Sequence, residues 1–151
     1  MPREKRVKPR PLAGSATDPG ADSLTYEWDL DADGEYELYL RAADGSGEPS
    51  RLTDIGPGFR YRPMWSPDGT KIVFMDHEQR LRLLEVESKK LEEFDRALYL
   101  SPGGRIGFRA SWSADSRWVA YSRNTENRNS AIYLYDTSAG ALHRVTSAFY
   151  D

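Results

Sequence analysis

Four carboxylates crowd one short stretch of the chain: Asp29, Asp31, Asp33 and Glu37, with Gly34 after the third, spelling D-x-D-x-D-G-x-x-E. Alternating carboxylates around a glycine turn can wrap a hard, oxygen-seeking cation, and calcium is the cofactor this spacing fits. The EF-hand does not apply. Its loop needs a bidentate glutamate at position twelve, where this chain has Leu40, and no helical periodicity flanks the segment. What stays open is a calcium loop on a β-hairpin, beside the plainer reading of an ordinary solvated turn of Asp and Gly.

The remaining constellations point away from catalysis. The chain has two histidines, His77 and His143, and no cysteine, so zinc-ligand spacing and a thiolate nucleophile are both missing. No G-x-S-x-G elbow accompanies the histidines, which leaves a Ser-His-Asp arrangement without context. Both read as surface residues. Glu85, Glu92, Glu93 and Asp95 form an acidic cluster that could do acid–base work on a glycoside, but solvated loop charges account for it. Gly45-Ser46-Gly47 and Gly103-Gly104 precede no helix, so they read as turns rather than phosphate cradles. The chain is therefore expected to carry no catalytic residue and not to be an enzyme by itself. The polar run 123–130 reads as an exposed hairpin connection, and Arg123, Asn127 and Arg128 are its candidates for binding a peptide or protein partner.

The elements that position these residues are set by a repeat. Trp65-Ser66-Pro67-Asp68-Gly69 leads into Ile72-Val73-Phe74, and Trp112-Ser113-Ala114-Asp115-Ser116, 47 residues on, leads into Trp118-Val119-Ala120-Tyr121. Ser, Pro, Asp and Gly in the first copy, and Ser and Asp in the second, favour a tight reversal, and a β-rich run follows each. Trp65, Asp68, Gly69, Trp112 and Asp115 are thus structural repeat positions, with both indoles expected between neighbouring sheets. The nearly continuous apolar runs 71–74 and 117–121 predict strands covered on both faces. Later strand runs repeat too: Glu37 to Arg41, Leu81 to Glu85 and Ile132 to Asp136, each followed by a polar turn and a further short strand. Two periods before Trp112 lies Asp18, inside the turn-forming Thr17-Asp18-Pro19-Gly20, and Leu24, Tyr26 and Trp28 then alternate with polar residues.

A period in the forties with a turn and several strands per copy is the mark of a β-propeller. The fold class predicted is all-β, a partial propeller of about three blades of antiparallel four-stranded sheet, open or completed by missing blades or a partner chain. The boundaries read as 1–12, a disordered basic tail; 13–54, a degenerate or partial first blade; 55–97, the second; and 98–151, the third. Three blades do not close a ring, and an open stack leaves apolar faces that need a cover. Further blades or a second copy, as a homo-oligomer, are the expected covers.

Composition agrees. Of 151 residues 38% are hydrophobic, 30% charged and 12% aromatic, with nine tyrosines and four tryptophans, which suits pleated sheets packed face to face. A formal charge of −3 gives no reason to expect nucleic acid, despite a basic first ten residues, and no run of about 18 apolar residues predicts a membrane span. The amino terminus lacks the apolar core of a secretory signal, which favours the cytoplasm; a longer parent chain would reopen the periplasm or secretion.

Residues 65–74, followed by Leu81 to Val86, resemble the WD-repeat-like propeller repeat of TolB and of tricorn-type proteases. The wider run from Gly34 to Asp151 is most similar to the amino-terminal propeller of the tricorn-like serine proteases, through segments 35–45, Gly58 to Pro63, Trp118 to Arg123, Ile132 to Asp136 and Arg144 to Ser147. The resemblance implies a non-catalytic propeller segment acting as scaffold, filter or channel for peptides, with catalysis in a carboxy-terminal domain that nothing here matches. A TolB-like module for protein–protein interaction is the alternative. Residues 13–31 resemble one turn and strand of a PKD-type domain through Tyr26-Glu27-Trp28-Asp29, which implies instead a calcium-binding extracellular module.

Overall fold

The computed structural model describes residues 16–17, 19–20, 22–28, 36–98, 109–126 and 129–146. Among these there is no helix. Twelve strands form three four-stranded sheets, each a simple up-and-down meander in chain order. The first holds β1 (Ala16–Thr17), β2 (Ser23–Trp28), β3 (Glu37–Ala42) and β4 (Ser50–Arg51). The second holds β5 (Arg60–Trp65), β6 (Lys71–Asp76), β7 (Arg80–Glu85) and β8 (Leu91–Arg96). The third holds β9 (Ala110–Trp112), β10 (Trp118–Asn124), β11 (Ser130–Asp136) and β12 (Ala141–Arg144). The fold is an all-β, open stack of three antiparallel blades.

The sheets stack because strand alternation gives each an apolar face. Leu38 and Leu52 of the first blade pack against Ile72, Phe74 and Leu84 of the second. The opposite face of the second, made by Val73, Met75, Leu81 and Leu83, packs against Val119, Tyr121, Ala131, Tyr133 and Tyr135 of the third. The middle blade is therefore buried on both faces, and Ile72, Val73 and Phe74 are fully sequestered. Each such side chain contributes roughly 1.5–3 kcal/mol by leaving water.

The third blade departs from the expectation of two covered faces. Along β10 only Val119 and Tyr121 are buried, while Ser122 is exposed. On β11 Ile132 keeps 47% of its surface in solvent. The physical reason is position: the described residues supply a neighbour for one face of this sheet and none for the other.

Two bulges shape the second blade. The β5–β6 register shifts between Tyr61 and Met64, where Arg62 takes φ 53° and the buried Pro63, lacking an N–H, cannot serve the ladder. The β7–β8 register shifts at Leu81/Arg82, which leaves Phe94 as the extra residue of β8. Phe94 uses the freedom to stack on Tyr135 at 4.5 Å and to meet Tyr121 edge-on at 5.8 Å, across the blade junction.

Candidate functional site

The repeat turns form as their residue types require. In the first, the Ser66 N–H donates to the Lys71 carbonyl (2.8 Å), the Lys71 N–H to Ser66 Oγ (2.9 Å), and Ser66 Oγ to Asp68 Oδ1 (2.6 Å). Asp68 also accepts from the Thr70 N–H at 3.0 Å. The second turn copies this: Ser113 N–H to the Trp118 carbonyl (2.9 Å), Trp118 N–H to Ser113 Oγ (2.8 Å), and Ser113 Oγ to Asp115. The Ser113 hydroxyl and the Arg117 amide hold the Asp115 carboxyl below the usual carboxylate range. Gly69 sits at φ 71°, its natural region, whereas its counterpart Ser116 adopts φ 59° at a cost of about 1–2 kcal/mol. Ser116 gains a tie in exchange, since its buried Oγ accepts the Asp68 N–H (3.0 Å) from the neighbouring blade.

Both tryptophans sit at blade junctions. Trp65 packs on the core between the first two blades, and Trp112 on the core between the second and third. The Trp112 indole N–H donates to the Met64 carbonyl at 3.3 Å, crossing from the third blade to the second.

Three of the four residues assigned to calcium, Asp29, Asp31 and Asp33, lie outside the described residues. The fourth requires a correction. Glu37 is 1% exposed and its carboxylate is already taken: Arg60 donates through Nη2 (2.8 Å) and Nε (3.3 Å), the Ile55 N–H donates at 2.9 Å, and Thr53 Oγ1 donates a further bond. Arg60 is fully buried, so the pair is dry on both sides. A carboxylate surrounded by an arginine and two other donors faces no open coordination position, so Glu37 anchors the segment 53–60 instead.

Of the three candidates for a peptide or partner contact, Arg123 is described: its Nε donates to Asp95 at 2.6 Å and its guanidinium lies 4.2 Å from the Tyr133 ring centre. It pins the third blade to the second. Asn127 and Arg128 lie outside the described residues. The acidic cluster is likewise not a set of loop charges, for Glu92, Glu93 and Asp95 belong to β8. Asp95 accepts from Tyr121 Oη (2.5 Å) and Glu92 from Tyr135 Oη (2.5 Å). Burial, and then the acceptor carboxylate in each case, pushes both phenols well above their usual range, so they stay protonated donors.

What sequence reasoning missed is the surface that Glu37 and Arg60 support. Arg60 Nη1 donates to the Gly58 carbonyl at 2.9 Å and Nη2 to that of Gly56, so one buried guanidinium fixes the loop in front of it. On that loop Phe59 is 44% exposed and makes stacked ring contacts with Tyr36 (4.7 Å, 24°) and Tyr61 (5.8 Å, 25°). The Gly58-Phe59-Arg60-Tyr61 stretch, aromatic after a glycine, was the available signal. Among the described residues no cluster of three or more metal-ligating side chains occurs.

No known family model matches the chain. Tricorn protease homolog 1 of Streptomyces coelicolor is 29% identical over 98 residues, which is 63% of this chain. The chain spans 9% of that relative's length. Among solved structures, the tricorn protease superposes with a TM-score of 0.70 at 15% identity, over 92% of this chain and 13% of the other. TolB from Acinetobacter baumannii gives 0.64 at 18% identity, over 91% of this chain and 33% of that one. At those identities the structural likeness establishes architecture, and the chain is a set of β-propeller blades of the kind found in TolB and the tricorn protease.

Proposed function

We propose that this chain is a non-catalytic propeller segment of a tricorn-like peptidase, serving as scaffold and as a surface that binds or gates peptides. The observation that carries this reading is the coincidence of the 98-residue likeness to Tricorn protease homolog 1 with a three-blade stack that superposes on the tricorn protease. The scaffold part of the role falls to the outer face of the third blade, where Ile132 is exposed and a further blade or a second copy would seat. The peptide part falls to exposed segments at the blade ends, since rigid sheets hold such connections in place.

Titrating the purified chain with fluorescent peptides cut from an unfolded protein such as casein tests the proposal. Saturable binding with the peptides left intact is expected. Failure to saturate at millimolar peptide, or cleavage of the peptides by the chain itself, contradicts it.

A TolB-like interaction module is the second reading, favoured by the superposition on TolB and by the same open face. It predicts capture of a folded partner that added peptide does not displace.

A further inference from the structure

We propose that the outer face of the third blade is a receptor for one kind of partner, a further propeller blade that opens with a tryptophan and carries a hydroxyl four residues later. This rests on the scaffold reading above and names the chemistry of what seats there. The face is made by Ser111, Ala120, Ser122, Ile132, Leu134 and His143, which the pairing of β9 to β12 puts on one side of the sheet. Ser111, Ser122, Ile132 and His143 are exposed, and Val145, whose N–H donates to the Ile132 carbonyl, keeps 54% of its surface in solvent.

The junction between the second and third blades shows what such a face takes. There the Trp112 indole N–H donates to the Met64 carbonyl (3.3 Å), and the Ser116 hydroxyl accepts the Asp68 N–H (3.0 Å). The 47-residue repeat carries Met64 to Ser111 and Asp68 to Asp115. Because the Ser113 turn repeats the bonds of the Ser66 turn, the third blade holds out the same two groups, a carbonyl with a second lone pair and a turn amide. Among the described residues neither receives a bond from another sheet. The groups that would answer them are the tryptophan and serine of one repeat copy, spaced as Trp112 and Ser116 are, so a blade built on such a copy meets both at once.

The side chains narrow the partner further. Val73 and Met75 of the second blade become Ala120 and Ser122 here, so the incoming face must be bulkier opposite them to pack without a gap. The second blade meets the third with Glu92 and Asp95, which take Tyr135, Tyr121 and Arg123. At the matching places the third blade has His143 beside Leu134 and Val145 beside Ile132. A partner therefore brings no arginine to that edge, because the charge would be buried with no carboxylate to meet it. A second copy of this chain does not fit through its first blade: two periods before Trp112 and Ser116 lie Asp18 and Asp22, which offer no indole N–H to the Ser111 carbonyl.

The chain has no cysteine, so Ile132→Cys places a single thiol on this face, and the rate of its reaction with an aromatic disulfide reports whether the face is covered. The test compares the 151-residue chain carrying this substitution with the same chain extended by a copy of its residues 105–151, one 47-residue period, in which Tyr121→Phe and Arg123→Leu remove the groups that need carboxylates. Labelling of the unextended chain should be fast and independent of its concentration between about 1 and 100 μM. The extension should slow it at least about tenfold. Trp112→Phe within the appended copy keeps a ring and removes the N–H, and should speed labelling again by about two- to tenfold. An extended chain labelled as fast as the parent, equal slowing by a Gly-Ser extension of the same length, or indifference to Trp112→Phe in the copy overturns the proposal. Slower labelling of the unextended chain as its concentration rises gives the face to a second copy and overturns it too. If the extension protects nothing while casein peptides saturate, the blade assignment falls and the peptide-binding reading stands. If casein peptides fail while the extension protects, the reverse holds.

Discussion

The second and third blades share a turn, a strand order and a meander, yet they are built for different surroundings. By the 47-residue repeat Val73 corresponds to Ala120 and Met75 to Ser122; strand pairing then matches Leu83 to Leu134 and Leu81 to Ile132. In the second blade these positions are all buried against the third. In the third, Ser122 and Ile132 are exposed. The comparison separates two kinds of information: the turn and the alternating pattern specify a blade, while the size of the side chain on each face specifies what covers it.

Replacing equivalent residues breaks or sharpens this most strongly. Leu81→Ala should destabilise by about 2–5 kcal/mol, because a 1% exposed side chain leaves a cavity between two sheets. Ile132→Ala should cost no more than about 0.5 kcal/mol, since its side chain has no comparable packing to lose. Urea unfolding of the two variants measures the gap, and equal losses would mean that the third blade's outer face is covered.

The junction between these blades supplies the next effect. Asp95→Ala removes the acceptor of Tyr121 and of Arg123 together, and a loss of about 1.5–3 kcal/mol is expected from bonds to a charged group. Tyr121→Phe, which keeps the ring and the Asp95–Arg123 contact, should lose about 1 kcal/mol. A larger loss from the tyrosine than from the aspartate would reverse the assignment of Asp95 as the hub.

At the far edge of the third blade a pH dependence is expected. The Arg117 guanidinium, with the turn amides of Ser138 and Ala139, holds the Asp136 carboxyl down to about 2. A carboxylate lowered on folding binds fewer protons folded than unfolded, so its contribution is complete above the unfolded value near ~3.9 and is lost as pH falls through about 2. Asp136→Asn should flatten the stability profile between those values and leave it parallel to the parent's above about pH 5. An unchanged acid slope would show that Asp136 is not depressed.

The smallest effect belongs to the turns. Ser116→Gly relieves a positive φ but gives up the bond from the Asp68 N–H, two changes of similar size, so stability should move by less than about 1 kcal/mol. Ser116→Ala keeps the strain and loses the bond, and it should be the less stable of the two.

How much of this is legible in the sequence follows from the range of each interaction. The turns at Ser66–Lys71 and Ser113–Trp118 are closed by residues within five positions of one another, so their Ser, Asp and Gly announce them. The strand runs show through alternation, and the second blade's double burial through its unbroken apolar run. The Glu37–Arg60 pair is different, because its partners lie 23 residues apart in separate blades. The local D-x-D-x-D-G-x-x-E spacing drew Glu37 toward a metal, and nothing local marks Arg60 as its partner. Arg123 and Asp95 mislead in the same way: polar residues in a turn-rich sequence read as solvated until stacking brings them together. The aromatic contacts among Tyr36, Phe59 and Tyr61 are equally hidden, since Tyr36 comes from the approach to β3, Phe59 from the approach to β5 and Tyr61 from β5 itself.

Hydrogen exchange resolved by peptide tests the sandwiched middle blade most directly. Lys71–Asp76 should be the slowest segment of the chain to exchange, protected near the global unfolding limit, with Trp118–Asn124 and Ser130–Asp136 opening measurably earlier. Equal protection of the second and third sheets, or slower exchange in the third, would contradict an open outer face and with it the arrangement described above.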